Sequence, residues 1–311
     1  MAARPIVALT GATGFIGPYV IAAFRAAGYE VRALARRPMT DRPGVHWVKG
    51  DIHDMAALQQ LALGAKVFVH GAGAIKARRH ADFARINVEG SALAATSARA
   101  AGVERFLLLS SLAARAPHLS PYAASKRASE RAIAESLGDA VAWTVLRPPA
   151  VYGPGDGETL KIFRAARWGL APLPAHGARA SWIFAEDLAQ AIVHAAAAPD
   201  MASRTLGLDD GAGGHALIEV YRTAGAILGR RVRPFVVPSL ALAAIGLANE
   251  GLARLGQGAP MLTRGKAREL GHPDWCVDRP TLADVSPWRP RVALAEGLAR
   301  TLGWYRQQGL L

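Results

Sequence analysis

The sequence predicts an α/β fold, a doubly wound parallel sheet with a smaller C-terminal cap interleaved with it. Three observations lead there. Short apolar runs alternate with longer Ala-rich helical segments through the first half of the chain. The runs are apolar throughout, not at every second residue, as strands buried on both faces require. The rhythm then breaks at "PPAVYGPGDGE" (148–158), a Pro/Gly-rich loop.

Taken in order, "PIVALTG" (5–11) reads as the first strand and "FIGPYVIAAFRAAG" (15–28) as a helix stopped by Gly28. "YEVRALAR" (29–36), "VHWVKGD" (45–51) and "AKVFVHGAG" (65–73) supply the next three strands. "ERFLLLSS" (104–111) and "AWTVLRP" (142–148) supply the fifth and sixth. Helical periodicity fills 54–63, 82–101 and 122–137. Beyond the break, 159–169 reads as a helix and 170–180 as a loop. "SWIFAEDLAQAIVHAAAA" (181–198) reads as a strand and helix that rejoin the sheet, and short helices and loops are expected from 199 onward.

Composition narrows the function. The 311 residues are 51% hydrophobic and 20% charged, the balance of a globular protein and not of a disordered one. The net charge of +13 reflects either a generally Arg- and Ala-heavy composition or an anionic partner, whether a phosphorylated cofactor, an acidic membrane surface or nucleic acid. The basic residues are scattered, in short clusters at Arg36–Arg37, Arg78–Arg79 and Arg230 to Arg233, with no aromatic-interleaved run, which argues against nucleic acid. A single cysteine, Cys276, excludes an intrachain disulfide, no Cys/His spacing suggests a metal, and a structural role is expected for it. The first strand begins within five residues of Met1, leaving no room for a signal peptide, and no stretch is long and apolar enough to span a membrane. A cytoplasmic location is therefore expected.

The most informative loop is "TGATGFIG". Gly11 allows a tight turn after the first strand, Gly14 allows backbone N–H groups to approach a pyrophosphate, and Gly17 permits close packing of helix on strand. Strand, glycine loop and helix follow one another as a Rossmann dinucleotide site demands. Gly11, Thr13, Gly14, Phe15, Ile16 and Gly17 are the candidate contacts. An acidic residue usually ends the second strand and holds the ribose 2′-hydroxyl of NAD. Here Ala35 takes that place and Arg36 and Arg37 follow, so NADP(H) is expected over NAD(H), the guanidinium groups holding the 2′-phosphate. Asp51, followed by Ile52, ends the third strand and is the candidate acceptor for the adenine amino group, while Asp54 fits the helix N-cap. Gly71 and Ala72, in "HGAGA", are small where a backbone passes close to a ligand. Residues 1–151 and 181–200 are assigned to the dinucleotide-binding domain, and 152–180 and 201–311 to the cap.

"SPYAASK" (120–126) sets Tyr122 one helical turn before Lys126, a spacing that chance also produces. Together with "TGATGFIG", "GDI", "NVEG" (87–90), "LLLSS" and "LRPPAVYGPGD", in this order, it resembles the extended short-chain dehydrogenase/reductase superfamily over residues 5 to about 195. That resemblance implies a catalytic Ser111, Tyr122 and Lys126. The Lys126 ammonium would lower the Tyr122 pKa from near ~10 and bind the nicotinamide ribose, Tyr122 would exchange the proton, and Ser111 would hold the substrate oxygen. It further implies an anchoring role for Asn87, a lesser claim for Ser110, and Pro148 and Val151 beside the nicotinamide.

The C-terminal part bears on the substrate. "PWRPRVALAEGLARTLGWYRQQGLL" (287–311) resembles the tail of the 3β-hydroxysteroid dehydrogenase-like branch, and "VRALAR" is of the dihydroflavonol reductase-like type. These imply an oxidoreductase interconverting a ketone and a secondary alcohol on a hydrophobic substrate of lipid, ceramide-like or sterol-like kind. Two alternatives stand beside it: a nucleotide-sugar epimerase or dehydratase, and a non-enzymatic dinucleotide-binding subunit of a larger complex. The loop "LAARAPHLSP" lacks the "VYG" usual in the epimerases. The apolar segment 234–256 reads as an amphipathic cap helix or as a lid that touches a membrane. A homodimer and a peripheral membrane contact are both admitted. Arg115, His118, His176, Arg179 and Trp182 are open between substrate contact and plain structure, and Asp187 either caps a helix or pins a loop.

Overall fold

The computed structural model describes residues 3–174, 177–254 and 262–311. Two compact units emerge, Met1–Arg147 with Ala189–Leu206, and Pro148–Leu188 with Gly207–Leu311.

The first unit begins β1 (Ile6–Thr10), α1 (Gly17–Ala26), β2 (Glu30–Ala35), β3 (Val45–Lys49), α2 (Met55–Ala62) and β4 (Val67–His70). It continues with α3 (His80–Phe83), α4 (Gly90–Ala100), β5 (Arg105–Leu109), α5 (Pro121–Leu137) and β6 (Ala142–Arg147). A seven-stranded sheet runs in the order Arg204–Gly207, β6, β5, β4, β1, β2, β3, and β1 to β6 pair in parallel. The order reverses between β1 and β4, the crevice where ligands of such sheets bind. Registers Thr10↔His70 and His70↔Leu108 bring the carboxyl ends of β1, β4 and β5 level there.

Local chemistry explains the element ends. Asp54 caps α2 by accepting from the Ala57 N–H at 3.1 Å, and Ser120 caps α5 by accepting from Ala123 N–H at 3.0 Å. Pro121 then opens α5 with φ already helical, and Gly138 ends it at φ 52°. Between the sheet and its helices, Leu58, Leu61, Phe68, Phe106 and Ile133 are fully buried, each contributing about 1.5–3 kcal/mol. Phe68 and Phe106, cross-strand partners, stack with centroids 5.2 Å apart.

Several expectations need correction. The helix expected over 82–101 is α3, a π-helical stretch Ala84–Glu89, and α4 in succession. The supposed loop 170–180 contains the strand Leu170–Leu173, paired in parallel with Arg233–Val236, and the strand Arg179–Ala180, paired with His215–Ala216 and Asp274–Trp275. The strand at 181 does not rejoin the main sheet. Trp182–Phe184 pairs with Ala150–Tyr152 in a separate two-stranded sheet, and Arg204–Gly207 takes the edge beside β6. Beyond 199, the helices Leu217–Ile227 and Leu294–Gln307 stand where short ones were expected, and Ser239–Arg254 lies within the segment 234–256 read as a cap helix.

The second unit has its own core, in which Tyr152, Phe163, Phe184, Leu298 and Tyr305 are fully buried. The Asp187 carboxylate accepts from the Val292 N–H at 2.9 Å, so it pins that loop. Trp182 is buried, edge-on to Tyr152 at 5.7 Å, and belongs to this core. Cys276 is half-buried, and burial pushes its thiol pKa up, consistent with a packing role. Among the described residues no helix is long and apolar enough to cross a membrane, and no three His, Cys, Asp or Glu side chains cluster as a metal site.

Candidate active site

The glycine loop is built by contact between β1 and β4. Gly11 has φ +79°, and a Cβ there would lie 2.5 Å from the carbonyl carbon of Gly71 and 2.7 Å from Ala72 N. Only glycine meets both demands. A Cβ on Gly17 would lie 2.2 Å from the Ala12 carbonyl oxygen, so α1 starts directly against the loop. Gly14 is exposed and a Cβ there would meet only Gly11 O, at 3.4 Å; its freedom is toward whatever approaches from outside. Two successive turns, Gly14 N–H to Gly11 O and Gly17 N–H to Gly14 O, shape the loop. Thr13 is exposed, Phe15 and Ile16 are half-buried, and Phe15 lies edge-on to Tyr19. This cradle, closed to a Cβ at Gly11 and Gly17 and ending at the N-terminus of a ten-residue helix, fits a dinucleotide pyrophosphate.

The floor is held by Thr10, whose hydroxyl accepts from Ala72 N–H at 3.2 Å and bonds His70 Nδ1 at 2.8 Å. His70 is fully buried, and burial, with Lys126 nearby, pushes its pKa down to about 3, so the ring is neutral at neutral pH. Gly17→Ala is expected to destabilise the fold by about 1–3 kcal/mol, read as a lower melting temperature, because the Ala12 carbonyl is backbone and cannot swing aside.

At the other end of the cradle, Arg36 and Arg37 stand exposed just after β2. β3 stops at Lys49, so Asp51 lies in the turn beyond it. Its Oδ1 is engaged by His53 through the backbone N–H at 3.1 Å and through Nδ1 at 2.9 Å, a partner the sequence reading missed. Burial acts to raise the Asp51 pKa, but the His53 hydrogen bonds, with the nearby His53 and Arg36 charges, bring it below the usual carboxylate value. Ile52 packs on the face of α4, where a Cβ on Gly90 would lie 2.7 Å from Ile52 Cδ1.

On α5, Tyr122 is partly exposed and Lys126, one turn on, is buried. Lys126 Nζ donates to the Leu109 carbonyl at the end of β5, at 2.7 Å. Burial pushes its pKa down to about 8, and Glu130 one turn on opposes that fall. Ser111 half-emerges past β5 and accepts from the Ala113 N–H at 3.2 Å, capping the short 3₁₀ turn Leu112–Arg115. The Ser110 hydroxyl points elsewhere and donates to Glu130 Oε1 at 2.5 Å.

Asn87 ties these parts together. Its Oδ1 accepts from Ala74 N–H at 2.7 Å, and its Nδ2 donates to Ala74 O at 3.1 Å and to Ser125 Oγ at 2.8 Å. Ser125 in turn donates to the Tyr122 carbonyl at 2.7 Å. The π-helical stretch carries Asn87, the kind of helix irregularity that re-aims a side chain at a functional site.

Glu130 and Arg147 went unnoticed in the sequence. Arg147 donates from Nε to Oε1 at 2.8 Å and from Nη2 to Oε2 at 2.6 Å, a two-pronged pair largely out of water. The signal was present: Tyr122, Lys126 and Glu130 are spaced on one face of α5.

Pro148 and Val151 fall in the second unit, where Val151 pairs with Ile183. Arg179 donates to the Gly214 carbonyl, His118 is exposed, Arg115 is half-buried, and His176 lies outside the described residues.

The profile of the NAD dependent epimerase/dehydratase family matches residues 7–205. A ceramide reductase of Caulobacter vibrioides is 40% identical over 314 aligned residues, covering 99% of this chain and 97% of that protein. A 2-alkyl-3-oxoalkanoate reductase of Stenotrophomonas maltophilia is 27% identical, covering 94% and 97%. Among solved structures, MoeE5 in complex with UDP-glucuronic acid and NAD superposes with a TM-score of 0.76 at 23% identity, over 98% of this chain and all of that one, which establishes the shared fold. The chain therefore belongs to the NAD dependent epimerase/dehydratase family of extended short-chain dehydrogenases/reductases and is a nicotinamide-dinucleotide-dependent oxidoreductase.

Proposed function

We propose that this chain reduces a ketone on a ceramide-like lipid to the secondary alcohol, using NADPH. The observation that carries the reading is the 40% identity to a ceramide reductase, sustained through 99% of the chain and so through both compact units. The unit containing the glycine cradle would bind the dinucleotide and the other would bind the lipid.

The reduced nicotinamide, when bound, supplies hydride to the carbonyl carbon. The chain supplies the proton. Tyr122 Oη would give it to the carbonyl oxygen, and the Lys126 ammonium would stabilise the phenolate left behind. Ser111 would donate a hydrogen bond to the same oxygen. Asn87, which bonds Ala74 and Ser125, would hold the β4 loop and the start of α5 at a constant separation. Arg36 and Arg37, exposed beyond β2, would hold the 2′-phosphate, with Asp51 at the adenine.

The test is consumption of NADPH against 3-oxo sphingolipids, keto-steroids and sugar nucleotides. Turnover is expected with the first. Conversion of a sugar nucleotide without net NADPH consumption would replace this reading by an epimerase. Arg36→Asp is expected to weaken NADPH binding by about tenfold or more, by setting a carboxylate against the 2′-phosphate, with NADH binding little changed. Unaltered NADPH affinity would return the cofactor preference to NAD(H).

A further inference from the structure

We infer that the outward face of helix Ser239–Arg254, together with the stretch 230–236 before it, which carries Arg230, Arg231 and Arg233, docks on an anionic lipid bilayer. The inference stands on this surface alone and not on the substrate proposed above.

The helix is turned inside out. A surface helix of a globular protein shows water its polar side and buries its apolar one. Here Leu240, Ile245, Leu247 and Leu252 are exposed, Leu240 to 82%. The polar side chains turn the other way. Asn249 Nδ2 donates to the Leu262 carbonyl at 3.1 Å, and Glu250 accepts from Arg264 N–H at 2.8 Å and from its Nε at 3.0 Å. Gly246 faces the same neighbour, since a Cβ there would lie 2.7 Å from the Thr263 carbonyl carbon.

The apolar surface continues into the segment just before the helix. In the paired strands Arg233–Val236 and Leu170–Leu173, Arg233 lies opposite Leu170 and Phe235 opposite Pro172. Leu170 and Phe235 are both exposed. Trp168, two residues before Leu170, is 80% exposed. Large exposed apolar side chains gathered on neighbouring segments mark an interaction surface.

Charge selects the occupant. Arg164 and Arg167 precede Trp168, and Arg230, Arg231 and Arg233 precede Phe235. Neither 159–185 nor 220–249 contains a single Asp or Glu. Exposed Trp, Phe and Leu beside arginines match the interface of an anionic membrane, where aromatic rings sit at headgroup depth and guanidinium groups reach phosphate. A second copy of the same face would set Arg231 and Arg233 against their own equivalents, which like-charge repulsion opposes.

The test is co-sedimentation of the full chain with vesicles of phosphatidylcholine alone and of phosphatidylcholine mixed with phosphatidylglycerol. Binding is expected to the mixed vesicles, to fall at high salt, and to be weak without the anionic lipid. Arg231→Glu/Arg233→Glu and Leu240→Ser/Leu247→Ser are each expected to weaken it about tenfold or more. These side chains are exposed, so circular dichroism and the melting temperature should be retained. Absence of a preference for anionic vesicles overturns the inference. So does binding that survives the leucine substitutions, because attraction to an acidic protein or any polyanion needs the arginines alone.

Discussion

Tyr122→Phe is expected to lower turnover by about 10²–10⁴-fold, the usual contribution of a positioned general acid, while dinucleotide binding persists. The substitution removes one oxygen and leaves the ring, which packs 6.1 Å from Phe83, in place. The fall should therefore appear in kcat, with the protein still folded and still binding cofactor. Lys126→Met is expected to lower turnover too, but differently. It removes the ammonium proposed to stabilise the phenolate and the hydrogen bond to the Leu109 carbonyl, so loss of stability should accompany loss of rate. Single-turnover NADPH oxidation and thermal melting on both variants separate the two. Tyr122→Phe with undiminished turnover would take the acid role away from Tyr122.

The second large effect concerns the buried ion pair behind Lys126. The charged and titratable groups that act on that ammonium include Glu130 on α5 and His70 on β4, and, through Glu130, Arg147 on β6 and Arg127 on α5. His70 is neutral above its pKa of about 3, so the Glu130–Arg147 pair governs the balance near neutral pH. Burial already sets Lys126 near 8, and activity that needs its ammonium is lost as pH rises through that value. Glu130→Gln removes the anion that supports the ammonium and leaves the Arg147 cation uncompensated. Both changes lower the Lys126 pKa, so the alkaline limb of kcat should move to lower pH by about one unit. Arg147→Gln leaves the Glu130 carboxylate with only the longer, more exposed Arg127 contact to offset its charge and should move the limb to higher pH. The double variant should bring it back toward the parent. Each single variant should also lose about 3–5 kcal/mol of stability, because one buried charge is stranded. A packing role alone would produce that loss with no movement of the limb. Limbs that shift in the same direction for both single variants would refute the electrostatic account.

Much of this protein was legible from its sequence, and the parts that were share a physical character. The segments that form the six strands β1 to β6, the glycine pattern of the turn at Gly11 and the cap at Asp54 are written in residues within a few positions of one another. So is the Tyr122–Lys126 spacing. Apolar runs, positive-φ positions and side-chain-to-backbone caps are local codes, and a linear reading captures local codes.

The tertiary structure decided what depends on distant partners. Which strand took the sheet edge beside β6 was such a case: Trp182–Phe184 has the better strand pattern, yet it pairs with Ala150–Tyr152, and Arg204–Gly207 fills the edge. The strand Leu170–Leu173 exists because Arg233–Val236, far along the chain, supplies its ladder. Glu130 was hidden because its meaning lies in Ser110 and Arg147, which come from two other segments. The outward apolar face of Ser239–Arg254 was hidden for a related reason. Periodicity shows that a helix has a greasy side, but only the partners of Asn249 and Glu250 show which side turns inward. The sequence by itself thus determined the strand segments, the glycine turn and the spacing of Tyr122 and Lys126, which are local patterns. The structure alone decided how charge is held behind that pair and which surface is left apolar, because those outcomes rest on contacts between segments far apart in the chain.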